Sequence, residues 1–443
     1  MWEELVSAAL VGTDRRPHHG DLLAAAAVEL VRRRAGQVPY GERPPAPAPA
    51  REEEQEAVSP AAAARLGWIL DGRHPRLLPE WLALAAATGR RVPPRLLPEL
   101  LDKGARDRSI RPFLGVLAGR RGRWLAGLNP AWSYLLAEPT GLQAGTAESW
   151  ELGGHGDRLA YLERLRASDP GAARRLLEQA WEKETPDDRA QFLALLGEGL
   201  SMADEPFLES VLDDRRREVR QQAADLLTRL PGSRLAGRMA ERAAGCLAVR
   251  DDRIVVEPPA ACDRGMERDG IRARPPRGTG ERAWWLQQVV ARAPLRMWDT
   301  ALLRAKIPEW GREVRSGWVR AAVLQRDPVW ARALFAWDPL ADLLAVLPPD
   351  DQDEVAADFV HRHGVDGQMI MVLGGASTPW GRGLAHAVLT KIGKVAATQP
   401  WNLDELARMA GERIDPADRF MADGLSEVSN LLAFRAEMTK ELR

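Results

Sequence analysis

Residues 208–230, LESVLDDRRREVRQQAADLLTRL, constrain the fold more than any other stretch. A first helix ends near Leu212, Asp213-Asp214 makes a turn, and a second helix follows. In that second helix Val219, Ala223, Leu226, Leu227 and Leu230 fall on one face of a 3.6-residue period. Pro231-Gly232 stops it, and Ser233 is placed to cap the next helix. Such a pair buries its apolar face only when similar pairs stack on both sides, so the unit predicts an array.

The composition agrees with an array and narrows its partners. At 443 residues, with 45% hydrophobic residues, 28% charged residues and a formal net charge of −1, the chain lacks the overall basicity of a general nucleic-acid binder. Of its 62 basic residues only six are lysine. That bias reads either as codon usage or as recognition of carboxylate and phosphate, which the arginine fork suits better. The two cysteines, Cys246 and Cys262, form no CxxC, so neither a disulfide framework nor a structural zinc site is expected, and a reducing compartment is. Glu3 and Glu4 stand where a signal peptide would be positive, and no apolar run is long enough for a membrane span. The expected location is the cytoplasm. The 16 tryptophans are read as packing between helices.

Taken in order, residues 1–36 read as N-terminal helices, with Asp21 capping the second. Residues 37–60 are rich in Pro, Ala and then Glu, and predict a flexible linker. Residues 61–156 read as N-terminal helical repeats and 157–249 as HEAT-like repeats, with Asp169-Pro170 and Thr185-Pro186 marking helix starts. Residues 250–280 break the pattern. A β-branched run at 253–257 and a turn dipeptide at Asp269-Gly270, leading into 271–274, predict an inserted β-hairpin or ordered loop. Helical repeats resume over 281–443, with a last helix opened by Asp415-Pro416. The fold class is therefore all-α: a HEAT-like α-solenoid of stacked antiparallel helix pairs carrying a short insertion.

No catalytic constellation is apparent. His361 and His363 lie on different faces of a helix with no further ligand nearby. His18-His19, near Asp14 and Asp21, read as solvated residues of a loop. Gly374-Gly375-Ala376-Ser377-Thr378 resembles a phosphate-binding turn but lacks the P-loop lysine, so Thr378 reads as a helix cap. No enzyme activity, cofactor or metal is expected. Two stretches are candidates for binding. The insertion gathers Asp263, Asp269, Arg272, Arg274 and Arg277, and an irregular segment on a rigid scaffold is a common place for binding residues. Residues 103–123 carry Lys103, Arg106, Arg108, Arg111, Arg120, Arg121 and Arg123 against Asp107, a basic run suited to a nucleic-acid backbone.

The chain resembles a bacterial family of HEAT-like helical-repeat proteins with no assigned activity. The likeness is carried by Trp2 with Gly12-Thr13-Asp14-Arg15, by Arg121-Gly122-Arg123-Trp124-Leu125 with Asn129-Pro130-Ala131-Trp132, and by the repeat over 214–230. Asp269-Gly270, Gly280-Glu281-Arg282 and Pro379-Trp380 complete it. That resemblance implies a gene neighbourhood of MoxR-type AAA ATPases, von Willebrand A-domain proteins and SWIM zinc-finger proteins. It supplies no functional residues. The leading expectation is a non-enzymatic scaffold or adaptor that presents its surface to a protein partner, such as an AAA ATPase or its adaptor. The alternative is a nucleic-acid-binding repeat protein that uses the 103–123 run. Oligomeric state does not follow from the sequence.

Overall fold

Proline and a polar cap open helix after helix. Ser59, Asp169, Thr185 and Asp327 each accept a backbone N–H of the first turn, and a proline follows each of them at the first helical position. The cap satisfies one of the four N–H groups that a helix start leaves unpaired, and proline has no N–H to leave unpaired. Ser233 accepts from Ala236 N at 3.1 Å, opening helix Arg234–Cys246 in the same way. The structure, a computed structural model, describes residues 2–15, 17, 20–36, 47–136, 150–250, 253–396 and 403–443. They form an all-α helical-repeat fold with a single two-stranded hairpin among the described residues. No helix among them is long and apolar enough to cross a membrane.

The chain divides into two compact units, Met1–Arg51 and Glu52–Arg443. The first holds helices Trp2–Val11 and Leu22–Arg34; Asp21 caps the second, and the Arg33 guanidinium lies 4.8 Å from the centre of the Trp2 ring. In the larger unit, helix Arg217–Thr228 buries Val219, Ala223, Leu226 and Leu227, with Leu230 just beyond its end also buried. It packs against helices Pro186–Leu195, Glu205–Val211 and Arg234–Cys246, as a one-sided helix in a stack must. Helices with two buried faces weld the stack together. Glu281–Arg292 sends Trp285 and Val289 into one apolar cluster and Leu286 and Val290 into the next. At about 1.5–3 kcal/mol for each fully buried large side chain, such a helix contributes to the cohesion of both clusters it joins.

The last helix, Ser426–Glu441, does the same, and its outer neighbour comes from the start of the unit. Val428 and Leu432 face the preceding repeats, whereas Leu431, Phe434 and Met438 pack among residues 58–135. The first repeats of this unit therefore cover its last helix, so stacking order departs from chain order. Two buried arginines fix the seam. Arg435, 4% exposed, donates to both oxygens of Glu80 at 2.9–3.1 Å and to Gly411 O and Ile414 O. Arg65 grips the Glu441 carboxylate through two nitrogens at 2.6 Å each and lies over the Phe434 ring. A third buried pair sits in the middle repeats, where Arg166 meets both oxygens of Asp204 at 2.8 and 3.0 Å. It also donates to the carbonyls of Pro170, Leu196, Glu198 and Gly199.

Several expectations shift. The 37–60 linker ends in structure: Val58 N bonds Arg91 O at 2.9 Å, and Ala57 pairs with Arg91 in a parallel bridge, while 37–46 lie outside the described residues. Asp415-Pro416 opens a 3-10 helix, Pro416–Ala422, and not the last helix. Gly424 at φ +90° breaks the run before Ser426 starts afresh. Met369–Leu373, the apolar run before the Gly-rich turn, lie in helix Gly367–Gly374. Asn402, by residue type a cap for the helix that follows, lies outside the described residues.

Two outcomes test this packing. Arg435→Ala leaves Glu80 and two carbonyls without their donor; Glu80 keeps some water, so we expect a loss of about 2–3 kcal/mol, read by urea unfolding. For Asp204, burial pushes the carboxyl up, but the Arg166 guanidinium and the Ser201 and Arg174 bonds outweigh it, and the net shift is downward. A depressed folded value means stability present above the unfolded value of 3.8 and lost as pH falls through the folded one. Asp204→Asn should flatten the acid limb of a stability-versus-pH curve below about pH 4.

Candidate functional site

The segment that breaks the repeat is built from three pieces. Helix Arg234–Cys246 runs directly into a strand, Leu247–Arg250, which pairs antiparallel with Arg253–Val256; Val249 lies opposite Ile254. The two residues between the strands, Asp251 and Asp252, lie outside the described residues. A short helix, Arg264–Arg268, follows, with Asp263 capping it through Met266 N at 2.7 Å. Asp269-Gly270 ends this helix and does not turn a hairpin. Gly270 sits at φ +86°, Gly270 N bonds Glu267 O, and Ile271 N reaches back to Met266 O at 2.9 Å. A left-handed glycine serves both a hairpin turn and a helix end, so the dipeptide alone does not separate them.

The five insertion residues then part company. Asp263 is spent on its cap. Asp269, 1% exposed, is gripped by Arg238 at 2.6–3.1 Å and by Arg242 at 2.6 Å. Arg238 also meets Glu209 at 2.8 Å, and Arg268 joins Glu209 to Asp213. This network of alternating charges locks the short helix to helices Glu205–Val211 and Arg234–Cys246; it is internally matched and offers nothing to a ligand. Arg277 is exposed and is not among the residues that border the cleft described next. Arg272 and Arg274 do come together, with residues from another repeat.

That meeting place is a cleft of about 420 Å³, bordered on one side by Arg217, Arg220 and Gln221 and on the other by Glu267, Arg272 and Arg274. The first three stand on the opening turns of helix Arg217–Thr228. The far wall is pinned from behind by helix Glu281–Arg292. The buried Gln288 amide accepts from Arg272 N at 2.8 Å and donates to Arg272 O at 3.1 Å, while Trp285 Nε1 donates to Ala273 O at 2.9 Å. Both polar groups of the Arg272 backbone are thus consumed by one side chain, which fixes the strand-like segment and leaves the guanidinium on the cleft side. Arg220 donates to Asp214 O at 2.8 Å and Arg215 O at 3.2 Å, and Arg272 reaches Gln221 Oε1 at 3.4 Å. These acceptors are neutral, so they orient the forks without cancelling their charge.

A fifth arginine lies behind the wall. Arg292, 5% exposed, holds Asp225 at 2.7 Å through Nη2, while its Nε is buried without a partner. Burial pushes its pKa down; Asp225 opposes that, and the nearby Arg320 and Arg272 reinforce it. Glycine is required in front of it: a Cβ at Gly270 would stand 2.6 Å from Ala224 Cβ and 3.4 Å from Arg292 Nε. The backbone thereby approaches the guanidinium closely at the edge of the cleft.

The 103–123 run is dispersed by its own fold. Arg111 lies 4.4 Å from the Tyr134 ring centre and donates to Gly104 O and Ala105 O, closing the end of helix Leu97–Arg106. Arg120 pairs with Glu54, and the Glu53 carboxylate accepts Arg120 N and Arg121 N at 3.0 and 2.9 Å. The acidic stretch 52–54 thus sits on the start of helix Gly119–Leu128, where a negative charge is favoured. Arg106 and Arg108 are exposed, whereas Lys103 and Arg123 are half-buried. In the Gly-rich turn before Thr378, Ser377 N and Oγ both donate to Gln352 Oε1 at 2.8 Å. The next helix, Arg382–Ala396, starts later than expected, and the Asp353 carboxylate accepts its Gly383 and Leu384 N–H groups at 3.1 and 2.8 Å. His363 stacks on Phe359 and lies 3.0 Å from its carbonyl through Nδ1, while His18 and His19 lie outside the described residues. Burial raises the Cys246 thiol, and burial with Glu267 and Asp263 pushes the Cys262 thiol up to about 11, so neither is primed as a nucleophile at neutral pH.

Fold and cleft together define an all-α helical-repeat protein with a rigid, arginine-lined recess. The chain belongs to a family of unknown function, DUF5691, whose model matches residues 4–442. No curated protein and no solved structure matches it. Sequence reasoning found Arg272 and Arg274 but missed Arg217, Arg220, Gln288 and Arg292. The run Arg215-Arg216-Arg217 with Arg220 was a readable signal; nothing marked Gln288.

The division of labour between wall and lining is testable. Arg272→Ala and Arg274→Ala should each change unfolding free energy by no more than about 0.5 kcal/mol. Gln288→Ala strips the Arg272 backbone of both partners and should cost about 1–3 kcal/mol in the same urea titration.

Proposed function

We propose that the chain is a non-enzymatic scaffold or adaptor that docks an acidic segment of a protein partner in the arginine-lined cleft. The observation that carries this reading is the charge of a pinned recess: among the described residues, four arginines border it, with Glu267 as the bordering carboxylate. Arg217 also lies 3.5 Å from the exposed Glu218, yet like charges held together this way stay under-compensated until an anion arrives, and a rigid wall lowers the ordering cost of binding. A MoxR-type AAA ATPase or an associated adaptor is the partner class to try first, on the sequence resemblance to HEAT-like proteins encoded beside them. The nucleic-acid reading has less support, because Glu53, Glu54 and Tyr134 already engage Arg111, Arg120 and Arg121.

Photo-crosslinking in the native cells, from a benzoylphenylalanine at position 274, tests the reading. The expected result is a protein adduct that disappears when Arg272→Glu is added. A nucleic-acid adduct, or a protein adduct indifferent to Arg272→Glu, contradicts it.

A further inference from the structure

We propose that the group this cleft receives is a phosphate monoester dianion; the inference rests on the docking reading above but concerns the chemistry of the ligand. The first argument is charge. Arg217 and Arg220 face the cleft from one helix and Arg272 and Arg274 from the opposite wall; Glu267 borders it and Glu218 lies 3.5 Å from Arg217, so among the described residues four arginines stand against two carboxylates. A single ligand carboxylate would leave part of this positive charge unmatched. A phosphate monoester carries about −1.5 to −2 at neutral pH and offers three acceptor oxygens.

The second argument is donor geometry. Arginine forks suit a tetrahedral oxyanion because each presents parallel N–H groups, and forks from two walls can meet different oxygens of one phosphate. The Arg220 fork is held by two carbonyls and that of Arg272 by Gln221, so two of the four are oriented before any ligand arrives. Behind them, the buried Arg292 guanidinium is paired with Asp225 at 2.7 Å and braces the wall without adding net charge to the cleft.

The third argument is what the cleft lacks. Among the described residues none that borders it is aromatic, so they offer no surface on which a nucleobase would stack. The apolar contribution comes from Ile271 and Ala273, with Ile271 itself buried. Recognition therefore falls on the phosphate, with little grip on whatever carries it. Two sources share that chemistry: a phosphorylated side chain on the partner, and a free phosphorylated small molecule.

Isothermal titration of the full chain separates the possibilities. The probes are a phosphoserine peptide, the same peptide with glutamate at that position, and inorganic phosphate. The phosphoserine peptide should bind at least roughly tenfold tighter than the glutamate peptide, as charge-assisted bonds to extra oxygens require. Binding should weaken below about pH 6, where the phosphate takes up its second proton. The Arg272→Ala/Arg274→Ala double variant should lose roughly 100-fold, with Arg217→Ala as a second variant on the opposite wall; circular dichroism checks that both stay folded. Inorganic phosphate binding as tightly as the phosphopeptide assigns the site to free phosphorylated molecules, and much weaker binding assigns it to a partner's side chain; either supports the proposal. Equal affinity for the phosphoserine and glutamate peptides, or binding unchanged in both variants, overturns it. Loss of phosphate selectivity with the position-274 protein adduct intact removes this inference and leaves the docking reading. Phosphate binding without such an adduct does the reverse.

Discussion

A helix with one apolar face is stable only when something covers that face, and the larger unit is organised by this requirement. Each helix pair covers its neighbour, and helices such as Glu281–Arg292 and Ser426–Glu441 bury two faces at once. A stack also has ends, where an apolar face would meet water. At one end the chain meets that demand with its own early repeats, so residues 58–135 cover the last helix. Burial of apolar area has no directionality, and what sets the register of this seam is polar. The Arg435–Glu80 and Arg65–Glu441 grips have one geometry that satisfies their forks.

The same economy explains the cleft. The insertion has to attach to the stack without a repeating face of its own, and it does so by a matched charge network around Asp269 and by the Gln288 clamp on Arg272. The first neutralises every charge it contains. The second satisfies a backbone and leaves its side chain uncommitted. A surface that is rigid and also short of counter-charge follows from these two attachments, and such a surface is suited to anion capture.

Much of the fold was legible in the sequence because helix periodicity and caps are local. The faces of residues 217–230 and the starts at Asp169-Pro170 and Thr185-Pro186 needed nothing beyond spacing and residue type. The seam was not legible: Arg435 and Glu80 are far apart in the chain, and no local signal joins them. At the site, the insertion stood out as a break in the pattern, and Arg272 and Arg274 were found. Asp263 and Asp269 were grouped with them because acidic residues in a loop read alike whether they cap a helix, neutralise buried arginines or face solvent. The basic run over 103–123 misleads for the same reason, since the acids that meet it, Glu53 and Glu54, come from a stretch expected to be free linker.

The central claim is that the cleft between residues 217–221 and 270–274 is a preformed oxyanion site. Anomalous diffraction from crystals of the full chain soaked in selenate, a tetrahedral dianion with its own absorption edge, tests it most directly. The account predicts a selenium peak within hydrogen-bonding distance of Arg272 and at least one arginine of the 217–220 turn, with the wall unmoved and the peak absent from Arg272→Ala crystals. A cleft without selenium while selenate binds elsewhere on the protein, or arginines that fold away to pair with carboxylates of their own chain, would contradict it.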